Sequence, residues 1–227
     1  MEELYTTWKA IGVAGGDLSF FQDFFVKFYQ AFIEGDRWLQ YLNGVKTTLL
    51  VTALALILGI VLGVLVAMLR TAHDQQRPGH RNPILAVLNL ICKVYVTVIR
   101  GTPMMVQLLI MGFVIFASSR NFTMIGTLTL GINSGAYVSE IVRGGLMSVD
   151  KGQMEAGRSL GLNYMTTMRF IVIPQAVKAI LPALGNEFII LLKDTSLITV
   201  IGGKELLYAA QGIYNRTYEQ MFPLIGT

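Results

Sequence analysis

The sequence predicts an all-helical membrane protein with four spans. Of its 227 residues 53% are hydrophobic and only 14% charged, against about 25% charged in soluble domains, so it lacks the polar surface to face water all round. Its mean hydropathy is +0.57. Residues 47–69 form a run of 23 without a charge, which at about 1.5 Å per residue crosses a hydrocarbon core roughly 30 Å thick.

The elements follow in order. Residues 1–42 mix acids, aromatics and a few bases, and the aromatic run 20–29 is interrupted by Asp23 and Lys27. This reads as an amphipathic extension at the membrane interface, distinct from a transmembrane domain over 43–227. Within the first span, 47–69, Gly59 and Gly63 form a small-xxx-small pair that lets another helix come close. The loop 70–83 is polar and water-facing, and holds both histidines, His73 and His80. Apolar residues resume at Ile84 and run to Ala117, broken by Lys93 and Arg100. This predicts a tilted or interfacial helix to about Ile99, a bend near 101–103, and then the deeper part of a second span. Pro103 sets the bend, because it donates no backbone hydrogen bond and disfavours a helical Thr102. Residues 118–121 form a polar turn and 122–142 the third span. A polar connection over 143–169 leads to the fourth apolar segment, 171–201, which carries Lys178, Glu187, Lys193 and Asp194. A polar aromatic stretch, 203–219, precedes the last residues.

Charge narrows the function. The net charge of +4 is small and the bases form no continuous patch, so nucleic acid is not an expected partner. Cys92 is the sole cysteine and lies in an apolar run, which gives no intrachain disulfide, no cysteine metal site and an inert buried thiol. No metal site is expected. Met1-Glu2-Glu3 is acidic where a secretory signal would be basic. Arg70, Arg77, Arg81, Arg143, Lys151, Arg158 and Arg169 fall on one side of the spans. Arg37, Lys46, Arg120, Lys204 and Arg216 fall on the other. The positive-inside rule places the first set in the cytoplasm and the N-terminus outside.

The connection contains Glu155-Ala156-Gly157-Arg158-Ser159-Leu160-Gly161, followed ten residues after Gly161 by Ile171-Val172-Ile173-Pro174. This spacing resembles the cytoplasmic EAA loop of ATP-binding-cassette importer permeases, with Gly157 and Ile173 as mild departures. Asp150 can cap the start of a short helix with Gln153 as capping-box partner, and Gly161 suits a left-handed turn at its end. The resemblance covers about 38–225. Val98-Ile99-Arg100-Gly101-Thr102-Pro103, Asn133-Ser134-Gly135-Ala136-Tyr137 and Leu192-Lys193-Asp194-Thr195-Ser196-Leu197 are similar to polar amino-acid permeases.

That resemblance implies a type I importer permease fold with an EAA loop at about 143–174, in a bacterial plasma membrane. Glu155, Ala156, Gly157 and Gly161 would contact an ATPase dimer that binds ATP and magnesium, this chain itself carrying no cofactor and no catalytic residues. A second permease subunit and an external substrate-binding protein complete the assembly. Residues 1–37 exceed the usual N-terminal extension. The family's fifth span, which follows a Phe-Pro-Leu sequence like Phe222-Pro223-Leu224, is missing, and the natural chain is expected to continue past Thr227 into one more span.

Ionisable residues inside spans cost about 2.5–3.5 kcal/mol on insertion scales, so they line cavities or meet partners. Arg100, Glu187 and Asp194 are the candidates. An arginine fork with Thr102 could hold an amino acid's carboxylate, a carboxylate opposite could hold its ammonium, and Asn133 and Ser134 add neutral hydrogen bonds. The alternative is that these charges pair with one another to hold helices together. Glu140 and Arg143, near the cytoplasmic end, are expected to make structural ion pairs. An intramembrane serine protease built on Ser134 fails because no histidine lies in a span. A secondary transporter would show paired repeats and more spans, and a scaffold subunit remains the other alternative. The sequence has no Gly-x-x-x-x-Gly-Lys-Ser/Thr phosphate loop, so the energy must come from a separate subunit.

Overall fold

A computed structural model describes residues 1–76 and 82–227, and every described element is helical. The loop residues Arg77, His80 and Arg81 lie outside the described residues. The bundle is built around two long helices, α3 (Arg37–Asp74) and α6 (Phe122–Met147), which run side by side. Lipid tails are as apolar as leucine, so packing rather than hydrophobicity must hold such helices together. Glycine supplies the closeness. A Cβ on Gly59 would lie 2.6 Å from Ser134 Oγ, and one on Gly63 would lie 2.6 Å from Val138 Cβ. In return Leu58 fills the space over Gly131, and Leu62 that over Gly135.

α3 is longer than the charge-free run at both ends. At its C-terminal end Arg70 pairs with Glu140 of α6, and Asp74 lies 2.9 Å from Arg143 of the same helix. The helix continues because its charges are met by partners, and Glu140 and Arg143 make the structural ion pairs expected of them. At its start Gly35 and Asp36 adopt positive φ and turn the chain into Arg37. Arg37 donates to the Gln30 carbonyl and lies 3.0 Å from Glu34.

The helix α4 (Pro83–Gly101) begins on Asn82, whose side chain accepts from the Ile84 and Leu85 amides, with Pro83 in the first turn where its missing N–H costs nothing. The chain breaks at Thr102, which is extended, as the proline predicts. It resumes as α5 (Met104–Ile110) and a π turn (Met111–Ile115). Unlike the expected interfacial piece, α4 is itself long and apolar enough to cross a membrane, as are the segments Glu34–Asp74 and Tyr164–Ile201. α6 does not reach that apolarity. It need not, because eleven of its residues are buried by other helices. Its 26 residues reach about 39 Å, enough to cross.

After α6 come two short helices, α7 (Lys151–Ser159) and α8 (Tyr164–Thr167), then a π turn (Met168–Val172) leading into α9 (Ile173–Asp194) and a 3₁₀ segment (Thr195–Ile201). α10 (Leu206–Thr217) is capped by buried Glu205, which accepts from the Leu207 and Tyr208 amides and from the Thr199 hydroxyl. It abuts α3 where Gly44 meets the Leu206 backbone.

The N-terminal residues form two helices, α1 (Glu2–Val13) and α2 (Phe20–Phe32). Tyr5 stacks on Tyr29 with ring centroids 4.4 Å apart, and Lys9 lies 2.6 Å from Glu34. That hydrogen bond raises the Lys9 ammonium above the usual lysine range. Phe24 and Phe28 clasp Phe222 on the closing helix α11 (Met221–Ile225).

Replacing Gly59 with leucine must force α3 from α6, at about 1–3 kcal/mol for overpacking. A lower melting temperature and reduced membrane abundance are expected. Gly185→Ala, at a site with nothing within 4 Å, should leave both unchanged.

Candidate functional site

Where α5, α6 and α9 meet, the break at Thr102 opens a cavity of about 210 Å³. Thr102, Asn133, Tyr137, Glu187 and Asp194 line it, with Met104, Ile190 and Leu191 as its apolar wall. Asn133 and Tyr137 are one helical turn apart on α6, and Glu187 and Asp194 two turns apart on α9, so each helix presents one face. Glu187 is only 5% exposed, and among the described residues neither it nor Asp194 forms an ion pair. Four of the six expected site residues therefore share one hollow.

The other two are placed differently. Arg100 ends α4 on the exposed side, with its guanidinium 5.1 Å from the centre of the Tyr137 ring. It stands one ring away from the cavity instead of lining it. Ser134 is fully buried against Gly59 of α3. Its hydroxyl neighbours the Glu187 carboxyl without a well-formed hydrogen bond. Ser134 belongs to the packing between α3 and α6. Thr102 lines the cavity, but its hydroxyl is already engaged. It donates to the Val98 carbonyl at 2.9 Å and accepts from Gln107 Nε2 at 2.8 Å, so it has no proton left for a carboxylate.

The residue that sequence reasoning left without a role is Gln107. Proline at 103 removes the donor that the Ile99 carbonyl would meet in a continuous helix. Gln107 Nε2 takes its place at 2.7 Å, and it also reaches the Thr102 carbonyl at 3.1 Å. Its Oε1 accepts from Asn133 Nδ2 at 3.0 Å. One side chain thus repairs the broken helix and holds Asn133 in the cavity wall. A glutamine four residues after a proline was the available signal.

At the other end of α6, Asp150 caps α7 by accepting from the Gly152 amide at 2.6 Å. The expected capping box does not form, because Gln153 accepts from Gln175 of α9 instead. Gly161 has φ +82° and closes the helix as expected. The Gly161 amide donates to the Arg158 carbonyl and the Leu162 amide to the Gly157 carbonyl, the paired bonds of a Schellman turn. Glu155 and Ala156 are exposed. Gly157 is not open to a partner, since a Cβ there would meet Thr167 and Ile171. It seats α7 on the start of the long α8–α9 segment.

The family model for binding-protein-dependent transport system inner membrane components matches residues 84–226. The chain belongs to that family. It is 36% identical over 187 residues, 81% of each chain, to the putative glutamine transport system permease protein GlnP of Rickettsia prowazekii (strain Madrid E). It is 42% identical over 134 residues to the glutamine transport system permease protein GlnP of Escherichia coli (strain K12), covering 56% of this chain and 60% of that one. Among solved structures, an amino acid ABC transporter crystallised with histidines superposes with a TM-score of 0.71 at 39% identity, over 82% of this chain and 83% of that one. An inward-facing MetNI methionine ABC transporter, at 20% identity and TM-score 0.68 over 86% and 89% of the two chains, shares the fold.

In this permease the helix break and the cavity stand or fall with one amide. Gln107→Leu should remove the donor from the Ile99 and Thr102 carbonyls, at about 0.5–1.5 kcal/mol for each hydrogen bond lost, and release Asn133. Lower thermal stability is expected, together with uptake reduced beyond the loss in membrane abundance. Gln107→Glu should behave like the leucine variant, since a carboxylate offers no donor.

Proposed function

We propose that the chain is the permease subunit of an ATP-driven importer of polar amino acids, and that the solute passes through the cavity between α5, α6 and α9. The observation that carries the reading is the pair of carboxylates, Glu187 and Asp194, facing that cavity with no cation paired to either among the described residues. Charges so placed in a membrane need water or a partner, and the ammonium of an amino acid supplies one. The volume lies below the 300–1,000 Å³ typical of drug-sized ligands, which suits a small solute. Asn133 offers a neutral hydrogen bond, and Arg100, held on Tyr137, meets the carboxylate at the mouth.

The energy comes from a separate ATPase pair that binds ATP and magnesium, while this chain performs no chemistry. Exposed Glu155 and Ala156 on α7, with the turn at Gly161, dock on that ATPase, and Gly157 backs the contact from inside. A second permease copy or a close relative completes the path. A binding protein delivers the solute from outside, where the N-terminus also lies, and residues 1–42 rest at the outer interface of the plasma membrane.

Uptake by membrane vesicles tests the site. Glu187→Gln keeps the shape but removes the charge. A charged hydrogen bond is worth about 1.5–3 kcal/mol, so uptake at low solute should fall about 10–100-fold at unchanged abundance. Wild-type uptake in a Glu187→Gln, Asn133→Ala double variant would exclude the cavity, and wild-type uptake by Arg100→Ala would exclude the mouth.

Docking is tested separately. Gly161→Val places a β-branched residue at positive φ, at about 1–2 kcal/mol, and should leave ATP hydrolysis running while uptake falls. Normal coupling in that variant would refute the role of α7.

A further inference from the structure

We infer that the solute of this cavity is a basic amino acid, which sets its α-ammonium at Glu187 and the cation of its side chain at Asp194. This rests on the permease reading above and narrows the solute class. Glu187 and Asp194 are both on α9 and both line the cavity. They are seven residues apart, about 10 Å along the helix axis, and side chains on one face lean the same way, which keeps them separate. An ammonium meets a carboxylate oxygen at about 2.8 Å, so one cation joins two carboxylates only where their oxygens come within roughly 6 Å. Each of these carboxylates therefore needs a cation of its own. A lysine or arginine solute carries two, set apart by a flexible aliphatic stem.

The neighbouring cations do not meet this need. Among the described residues neither carboxylate forms an ion pair. Lys193 adjoins Asp194, but one step along a helix turns about 100°, and Lys193 is exposed outside the cavity lining. Lys93 and Lys178 are exposed as well and line no part of it. The Ser134 hydroxyl beside Glu187 is neutral. Arg100, held on Tyr137 at the mouth, leaves two carboxylates facing one guanidinium. A zwitterion brings no net charge and leaves that excess standing, at a cost inside a membrane. A basic amino acid brings one positive charge and cancels it.

Arg100 also fixes the orientation. Gly145 of α6 abuts Ile180 of α9, and Ser134 neighbours Glu187, so the two helices run antiparallel. Tyr137 follows Ser134 toward α7, whereas Asp194 follows Glu187 away from it. Arg100 thus stands at the Glu187 end, where a solute's α-carboxylate and α-ammonium are both met. Asp194 faces the far end of the solute's side chain.

The test uses the whole transporter with its ATPase, in lipid nanodiscs and without binding protein, so that the selectivity read is the permease's own. Arginine, citrulline, glutamine and diaminobutane are titrated in by calorimetry. Citrulline keeps the shape of arginine but carries a neutral urea in place of the guanidinium. Arginine should bind roughly tenfold or more tightly than citrulline or glutamine, the effect of one charged hydrogen bond. Asp194→Asn should weaken arginine by about the same factor and bring it level with citrulline, whose own binding should stay within about twofold of wild type. If that variant fails to assemble, the wild-type ratio of arginine to citrulline still decides. Equal binding of the two, or glutamine binding more tightly than arginine, overturns the basic class and leaves the permease reading standing. Diaminobutane binding as tightly as arginine overturns the assignment of an amino acid, since the carboxylate would then add nothing. Absence of binding by all four would refute the solute cavity, and the inference with it.

Discussion

Everything in this bundle depends on how closely α3 and α6 approach. In a bilayer an apolar side chain gains nothing by leaving lipid for protein, so two helices hold only where their surfaces interlock. Here each helix gives up side chains where the other needs room: Gly59 and Gly63 receive Ser134 and Val138, while Gly131 and Gly135 receive Leu58 and Leu62. The Arg70–Glu140 and Arg143–Asp74 pairs then fix the register. With Ser134 and Val138 turned to α3, the neighbouring positions Asn133 and Tyr137 must face α5 and α9. The chemistry of the cavity wall follows from the rotation of one tightly held helix.

Much of this was legible in the sequence. Residues 47–69 show a span by the absence of charge, and Pro103 places the break because its chemistry is local. Gly161 likewise needs no tertiary information, since a left-handed turn is a property of its own backbone. The features that escaped depend on partners distant in sequence. The extension of α3 through Arg70 and Asp74 could not be read without Glu140 and Arg143. α6 is more polar than a lipid-facing span because protein surrounds it. Gly157 carried the right signal, close approach, but a small residue does not say whether the approaching surface is a partner or the chain's own Thr167.

The candidate site divides the same way. Intramembrane charge picked out Glu187 and Asp194, and polarity picked out Asn133, because burying such groups is costly wherever they lie. Position is what charge leaves open. Arg100 differs from Glu187 in lying at a helix end, where a long side chain can turn outward onto an aromatic ring. Gln107 looked like one polar residue among apolar ones, and its role emerges only when the unmet carbonyls beside Pro103 are counted.

The seating of α7 has a mechanical consequence. Gly157 lies against Thr167 and Ile171, at the start of a helical segment that continues from Tyr164 to Ile201. Glu187 is sixteen residues beyond Ile171, about 24 Å along that segment. A displacement of α7 therefore reaches the cavity along a single lever, with no loop between to absorb it. Two prolines interrupt its hydrogen bonding, Pro174 beside the π turn and Pro182, which leaves the Lys178 carbonyl without its helical donor. At such points a helix bends more easily than it shortens, so the segment is stiffer along its axis than across it.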